Sequence, residues 1–237
     1  MPEAVQEDVY TRIKTNLQDA KETINRAAQA AGRDPAEVRL LPVSKTFGHD
    51  SIRAAFAAGV RLLGENVVQE AQRKHEALQE ELPDLQWVLI GHLQRNKARY
   101  VARFVTEFHA LHSTRLADML QRRLDLEDRT LDVFVQVNTS GEESKHGLEP
   151  ADTQAFISTL KEYDRLKLRG FMTMAPYSTD KELVAGCFRQ LRELRDAALE
   201  VDERAAELSM GMSADLELAI QEGATTVRIG SAIFGTR

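Results

Sequence analysis

Lys45 closes the apolar run Leu40-Leu41-Pro42-Val43-Ser44-Lys45. Lysine is among the residues least often buried, so its place at the end of an interior-type strand needs a reason. A primary amine in apolar surroundings has a lowered pKa and becomes a nucleophile toward carbonyls. Late in the chain come two turns of small residues. Ser213, in "SMGMSADLELAIQEG", precedes an amphipathic run with acidic residues just downstream, which is the pattern of a helix N-cap. Gly230 and Ser231, in "VRIGSAIFG", open a final short helix. Turns of this kind bind phosphate through helix N-terminal N–H groups. Either alone reads more simply as a cap or a turn. Together with Lys45 they describe a Schiff-base site for a phosphorylated aldehyde, either pyridoxal 5′-phosphate (PLP) or a sugar phosphate in an aldolase.

Strand alternation adds an arginine. Leu41, Val43 and Lys45 share one face, and Thr226 and Arg228 share another, with Val227 and Ile229 opposite. With Val227 and Ile229 packed on helices, Arg228 points inward. A buried guanidinium needs an acceptor, which is either a ligand or a carboxylate such as Glu65.

The elements that must position these groups are legible. Val9, Ile13, Leu17, Ala20, Ile24 and Ala27 have helical spacing within residues 5–31, ended by "AAGRDP". Eight apolar runs follow: "VRLLPVS", "GVRLLGE", "QWVLIG", "RFVTEFHAL", "LDVFVQVN", "LKLRGFM", "AELSM" and "TTVRIG". Helix-like segments separate them at 49–58, 67–81, 92–102, 114–127, 150–163, 180–204 and 214–222. Segment 180–204 carries Leu183, Val184, Cys187, Phe188, Leu191 and Leu194 on one stripe. Alternation of this kind predicts a parallel sheet. Eight units with an extra N-terminal helix predict a single (β/α)8 barrel domain over residues 1–237. An open doubly wound sheet is the less favoured reading, since its first turn is normally glycine-rich and here it is "SKTFGHD". In a barrel the chemistry sits at the C-terminal strand ends, which here are Lys45, Glu65-Asn66, His92, His112, Asn138, Met172-Thr173, Met210 to Ser213 and Gly230-Ser231.

Composition narrows the partners. A net charge of −6 without a long basic run argues against nucleic acid. The acidic start lacks an apolar signal core, and no run approaches the ~20 apolar residues of a membrane span. A single cysteine, Cys187, excludes an internal disulfide and a Cys-rich zinc site. A cytoplasmic protein is expected. "HALH" (His109 to His112) has the look of a metal motif, but positions i and i+3 of a strand face opposite ways. The polar loop "NTSGEESKHG" is either a surface connection or a cover over the mouth, with Lys145 as a cationic lure.

Seven strings, "VSKTF", "GENVVQEAQRK", "IGHLQRNKAR", "VNTSGEESKHG", "GFMTMAP", "LSMGMSADLELAI" and "VRIGSAIFG", run in order over nearly the whole chain. Together they resemble the pyridoxal phosphate homeostasis proteins, the YggS/PROSC-type family related to the N-terminal barrel of bacterial alanine racemase. The resemblance implies that Lys45 holds PLP as an internal aldimine and that Ser213, Gly230 and Ser231 bind its phosphate. It places Arg228 near the pyridine nitrogen and Asn66 beside the cofactor, with Met210 and Met172 lining the pocket. Lys145 matches a lysine of the loop after strand five. Two positions depart from the family pattern: "SKTFGHD" lacks its usual proline, and Val67 stands where an aromatic residue is common.

The resemblance also implies a carrier more than a catalyst. An arginine at the pyridine nitrogen disfavours its protonation and weakens the electron sink. Racemisation needs a second base, which in the related racemases is a tyrosine from a second domain across a dimer. The chain stops at Arg237, just after its eighth strand, and among its four tyrosines only Tyr177 falls in a mouth loop. The expectation is a monomeric protein of vitamin B6 homeostasis that buffers PLP and hands it to PLP-requiring apo-enzymes. The alternative is a weak PLP-dependent amino-acid racemase.

Overall fold

Each of the eight apolar runs forms a strand in the computed structural model, which describes residues 3–142 and 145–235. The strands are β1 (Arg39–Pro42), β2 (Leu62–Glu65), β3 (Gln86–Leu89), β4 (Val105–Leu111), β5 (Leu131–Gln136), β6 (Leu166–Met172), β7 (Glu207–Ser209) and β8 (Thr226–Ile229). All pairings are parallel, in the order β1-β8-β7-β6-β5-β4-β3-β2. A parallel bridge between Val43 and Gly64, with Ser44 N donating to Gly64 O at 3.0 Å, draws β1 against β2. The result is a nearly closed (β/α)8 barrel, since closure removes the free edges a parallel sheet would expose.

Helices alternate with the strands: α1 (Glu3–Ala30), α2 (His49–Ala57), α3 (Val68–Leu78), α4 (Ala98–Phe104), α5 (Thr114–Glu127), α6 (Thr153–Leu160), α7 (Lys181–Leu199), α8 (Leu216–Gln221) and α9 (Ser231–Phe234). Helix α1 is the extra one. It buries Ile13, Leu17, Ala20, Ile24 and Ala27 against α2, α8 and α9. Its Asn16 side chain donates to Ile233 O at 2.9 Å, tying the start of the chain to its last helix.

Several helices are shorter than the apolar spacing predicts, α4, α6 and α7 among them. Segment 92–102 begins as a 3-10 turn at Arg95–Lys97 before α4, and segment 150–163 begins as a 3-10 turn at Pro150–Asp152 before α6. Helix α7 stops at Leu199, because Asp202 turns the chain by accepting from Arg204 N and pairing with its guanidinium. On α7, Val184, Cys187, Phe188 and Leu191 are buried, but Leu183 at the edge of the stripe is exposed.

The strand parity holds. Leu41 lies opposite Arg228 in the β1/β8 register. A Cβ on Gly64 would touch the side chains of Val43 and Leu41, so that position also faces the barrel axis. Glu65, one residue on, therefore faces outward toward α3. The Arg228–Glu65 ion pair that the sequence allowed does not form. Glu65 pairs with Lys74 of α3 at 2.6 Å.

Candidate functional site

The C-terminal ends of the strands enclose a cavity of about 850 Å³. Lys45, Asn66, Met172, Ser213, Arg228, Gly230 and Ser231 all line it, although they are spread over 187 residues of chain. A second cavity, about 680 Å³, opens at the opposite end of the barrel among Arg33, Arg39, Arg169 and Arg195. Its cations are already engaged, Arg39 with Glu107, Arg169 with Glu207, and Arg33 and Arg195 with backbone carbonyls. The first cavity has the convergent polar groups and apolar walls of a small-molecule site.

Lys45 stands at the edge of this cavity. Ser44 is fully buried and Lys45 is exposed, so the chain leaves the apolar core between the two residues. The desolvation expected of a strand-end lysine is therefore not supplied by the protein alone. Ser44, Lys45, Thr46 and Phe47 form a turn closed by Phe47 N donating to Ser44 O at 3.1 Å, with Thr46 at a φ of 69°.

Arg228 is the buried charge of the site. Its Nη1 donates to Ser209 O at 2.7 Å and Ser209 Oγ at 2.9 Å, and its Nη2 donates to Thr173 O at 2.8 Å. No carboxylate touches it among the described residues. Burial pulls its pKa down to about 10, with Asp215 opposing from a distance. A desolvated cation held only by neutral acceptors, with one face on a cavity, suits a ligand that brings an acceptor or negative charge.

Behind Arg228 a polar chain crosses the barrel interior. Ser209 Oγ meets His109 Nδ1 at 2.9 Å, and His109 Nε2 meets Glu107 Oε2 at 2.9 Å. Arg39 forks onto the Glu107 carboxylate at 2.6 and 2.8 Å. Burial holds His109 down to about 4 although Glu107 pulls the other way. Burial would raise Glu107, but hydrogen bonds from His109 and Arg39 outweigh it and hold the carboxyl at about 2. The donors follow: neutral His109 donates from Nε2 to Glu107, Ser209 donates to Nδ1, and Arg228 donates to Ser209.

The phosphate-type turns differ from their sequence reading in one respect. The cap position of α8 is Asp215, not Ser213, and Asp215 Oδ1 also accepts from Met212 N at 2.6 Å. Ser213 is exposed in the turn before it, which leaves its hydroxyl uncommitted to the helix. Gly230 packs closely on β1, where a Cβ would stand 3.2 Å from Val43 O.

Met210 lies outside the cavity. It is fully buried in the core, while Met212 and Met174 join Met172 on the wall. The kink at Gly211, with a φ of 93°, separates the two methionines of "SMGMS" into core and mouth. Lys145 is also outside it, donating to Met174 O at 3.4 Å and pairing with Glu142 at 3.0 Å. Its neighbours Glu143 and Ser144 lie outside the described residues, as does Arg237. Tyr177 is fully exposed and is not on the wall.

Sequence reading missed Gln136 and His146. Gln136 is the inward residue at the end of β5, and its Nε2 donates to His146 O at 2.9 Å. The alternation of β5 could have found it. His146 stacks on His92 with ring centroids 4.0 Å apart, and His112 lies 5.3 Å from His92. Burial, with the two neighbouring rings, lowers the pKa of His92. The histidines of "HALH" part company: His109 is inside the barrel and His112 is at its rim.

This constellation has relatives. The model of the alanine racemase N-terminal domain matches residues 15–237. The pyridoxal phosphate homeostasis protein of Aquifex aeolicus is 42% identical over 91% of this chain and 94% of its own length. That of Pseudomonas aeruginosa is 43% identical over 95% of this chain and 96% of its own. The chain belongs to this family. Among solved structures, PipY of Synechococcus elongatus with PLP bound is 36% identical, with a TM-score of 0.79 over 90% of this chain and 99% of PipY. An alanine racemase of Clostridium difficile shares the fold at 15% identity and a TM-score of 0.73, and this chain spans only 57% of it. The Aquifex aeolicus and Pseudomonas aeruginosa relatives are both named for homeostasis, not for a reaction.

Proposed function

We propose that this chain binds PLP in the mouth of its barrel and acts in vitamin B6 homeostasis as a carrier or buffer. The observation that carries the reading is that one cavity is lined by Lys45, Arg228, Ser213, Gly230 and Ser231. The fit is chemical. Lys45 offers an amine for the aldehyde, and Arg228 offers a buried cation with no carboxylate against it among the described residues. Ser213, Gly230 and Ser231 offer small-residue turns for the phosphate, where Ser231 and Ala232 precede the first hydrogen bond of α9, from Ile233 N to Gly230 O. Val43, Ile90, Met172 and Met174 offer apolar contact for a planar ring. When bound, PLP supplies an aldehyde that an amine captures reversibly. Asn66 completes the proposed wall, and Met210 supports it from the core behind.

A carrier fits the surroundings better than a racemase. Two-base racemisation needs a second proton-transfer group facing Lys45; the mouth-loop Tyr177 does not line the cavity, and the imidazoles that do, His92 and His146, are stacked on each other. We read residues 1–237 as one PLP-binding barrel domain, monomeric and cytoplasmic, with PLP-requiring apo-enzymes as recipients. Among the described residues no helix is long and apolar enough to cross a membrane.

The test is the visible spectrum with added PLP, before and after borohydride, with peptide mapping of the reduced protein. The reading expects a yellow band that bleaches, and a pyridoxyl label on Lys45. A protein that stays colourless with PLP overturns it. Incorporation of solvent deuterium at the α-carbon of several amino acids, under saturating PLP, would instead favour the racemase.

A further inference from the structure

We propose that Glu70 and Lys74 of α3, together with Glu65, are positioning residues that hold the backbone on both sides of Lys45. This inference rests on Lys45 being the amine that receives the aldehyde.

Lys74 is buried, with only 4% of its surface exposed, and its ammonium is shared among three acceptors. Its Nζ donates to Ser44 O at 2.7 Å, Glu65 Oε1 at 2.6 Å and Glu70 Oε1 at 2.7 Å. Glu70 Oε1 also accepts from Thr46 N at 2.5 Å. Ser44 Oγ donates to Glu65 Oε1 at 2.6 Å. The peptide entering Lys45 is thus gripped through its carbonyl and the peptide leaving it through its N–H, and both grips come from one face of α3. Glu70 and Lys74 are four residues apart, which places them on that face.

The grip answers a local conflict. Beyond Ser44 the β1 backbone has run out of strand partners, and Lys45 sits in a tight turn outside the sheet. The third residue of that turn has a φ of 69°, a conformation that glycine or asparagine normally supplies. Here it is threonine, whose branched Cβ makes the conformation strained. Strain of this kind persists only where surrounding contacts over-determine it. Glu70 provides such a contact by capturing the Thr46 N–H, and Lys74 fixes the opposite corner. Neither side chain lines the cavity. Their role is to aim an exposed lysine whose own surroundings do little to fix it.

The experiment compares wild type, Glu70→Ala, Glu70→Gln and the double variant Glu70→Ala/Thr46→Gly. Two readouts are taken: amide hydrogen exchange at Thr46 and Phe47 in protein without PLP, and PLP affinity by absorbance titration with borohydride mapping. Glu70→Ala is expected to speed exchange at these two amides by about tenfold or more while barrel-strand amides hold their rates. It should also weaken PLP capture by about tenfold, with the label still on Lys45. Glu70→Gln, which keeps an acceptor, should recover part of both. The double variant should recover affinity, since glycine adopts the turn without the carboxylate. Wild-type affinity in Glu70→Ala, or exchange that rises uniformly across the barrel, overturns the positioning role. Should Glu70→Ala not fold, Glu70→Leu, which keeps most of the side-chain volume but has no acceptor for the Thr46 N–H, would overturn it equally if it showed wild-type exchange at Thr46 and wild-type affinity. Wild-type protein that is not labelled at Lys45 would instead defeat the PLP reading on which the inference stands.

Discussion

Arg228 and His109 share one hydroxyl. Ser209 Oγ accepts from Arg228 Nη1 at 2.9 Å and donates to His109 Nδ1 at 2.9 Å. Through this atom the cavity's buried cation is coupled to Glu107 and Arg39 at the far end of the barrel without touching either. Glu107 sets the His109 tautomer, because its carboxylate can only accept at Nε2, which leaves Nδ1 to accept from the Ser209 hydroxyl.

Ser209→Ala removes that hydroxyl and leaves a buried ring nitrogen and a guanidinium N–H unpaired. The expected loss is about 1–3 kcal/mol of stability. A urea titration checks it, and an unchanged midpoint would mean that the chain through Ser209 carries no stability.

Stability should rise with pH across the acid range. His109 is held at about 4 in the fold, below its ordinary 6.5, and Glu107 at about 2, below its ordinary 4.5. In both windows the unfolded chain binds the proton and the folded one does not, so each contribution is lost as pH falls. Stability from His109 should fade from about pH 6.5 down to 4, and that from Glu107 from about 4.5 down to 2, each at up to about 1.4 kcal/mol per pH unit. Denaturant titrations between pH 4 and 7 measure the first window. His109→Gln should flatten it.

Thr46→Gly should relieve the strained turn beside Lys45. Gains of about 1 kcal/mol are expected, since glycine occupies a φ of 69° without penalty. Thermal unfolding of the protein without PLP reads this directly. A loss of stability would show that the threonine side chain contributes more than its backbone costs.

Gly91→Ala tests how Asn66 is placed. A Cβ at Gly91 would collide with the Asn66 carbonyl. Backbone must move to admit it, so we expect destabilisation of about 1–3 kcal/mol together with weaker PLP binding. Stability loss with unchanged affinity would remove Asn66 from the wall that matters.

Ser231→Ala should separate phosphate from ring. Loss of a hydrogen bond to a charged group costs about 1.5–3 kcal/mol, which is roughly tenfold or more in PLP affinity. Pyridoxal, which lacks the phosphate, should bind the variant and the wild type alike. An equal loss for both ligands would place Ser231 against the ring.

Much of this site was legible in local pattern. Period-two alternation puts Arg228 on the inward face of β8, and Lys45, in the turn beyond β1, lines the same cavity. Other readings failed for reasons local pattern does not carry. Met210 and Met212 are indistinguishable as letters, and only the positive φ at Gly211 sends one to the core and the other to the mouth. Ser213 looks like a cap, yet the cap position of α8 falls two residues later at Asp215. Glu65 sits beside Asn66, but strand parity turns it outward, where Lys74 holds it.

By itself, then, the sequence determined the elements and their faces: eight apolar runs, the helices between them and the side of each strand that carries chemistry. These depend on spacing along a few residues, which backbone geometry converts directly into direction. Tertiary structure decided which faces meet. The register of Leu41 opposite Arg228 joins positions 187 residues apart, and barrel closure joins Gly64 to Val43. It also decided that Lys45 emerges into solvent while the charges that aim it, Lys74 and Glu65, are buried. Burial and pairing are sums over neighbours from distant segments, and the chain acquires them only when the barrel closes.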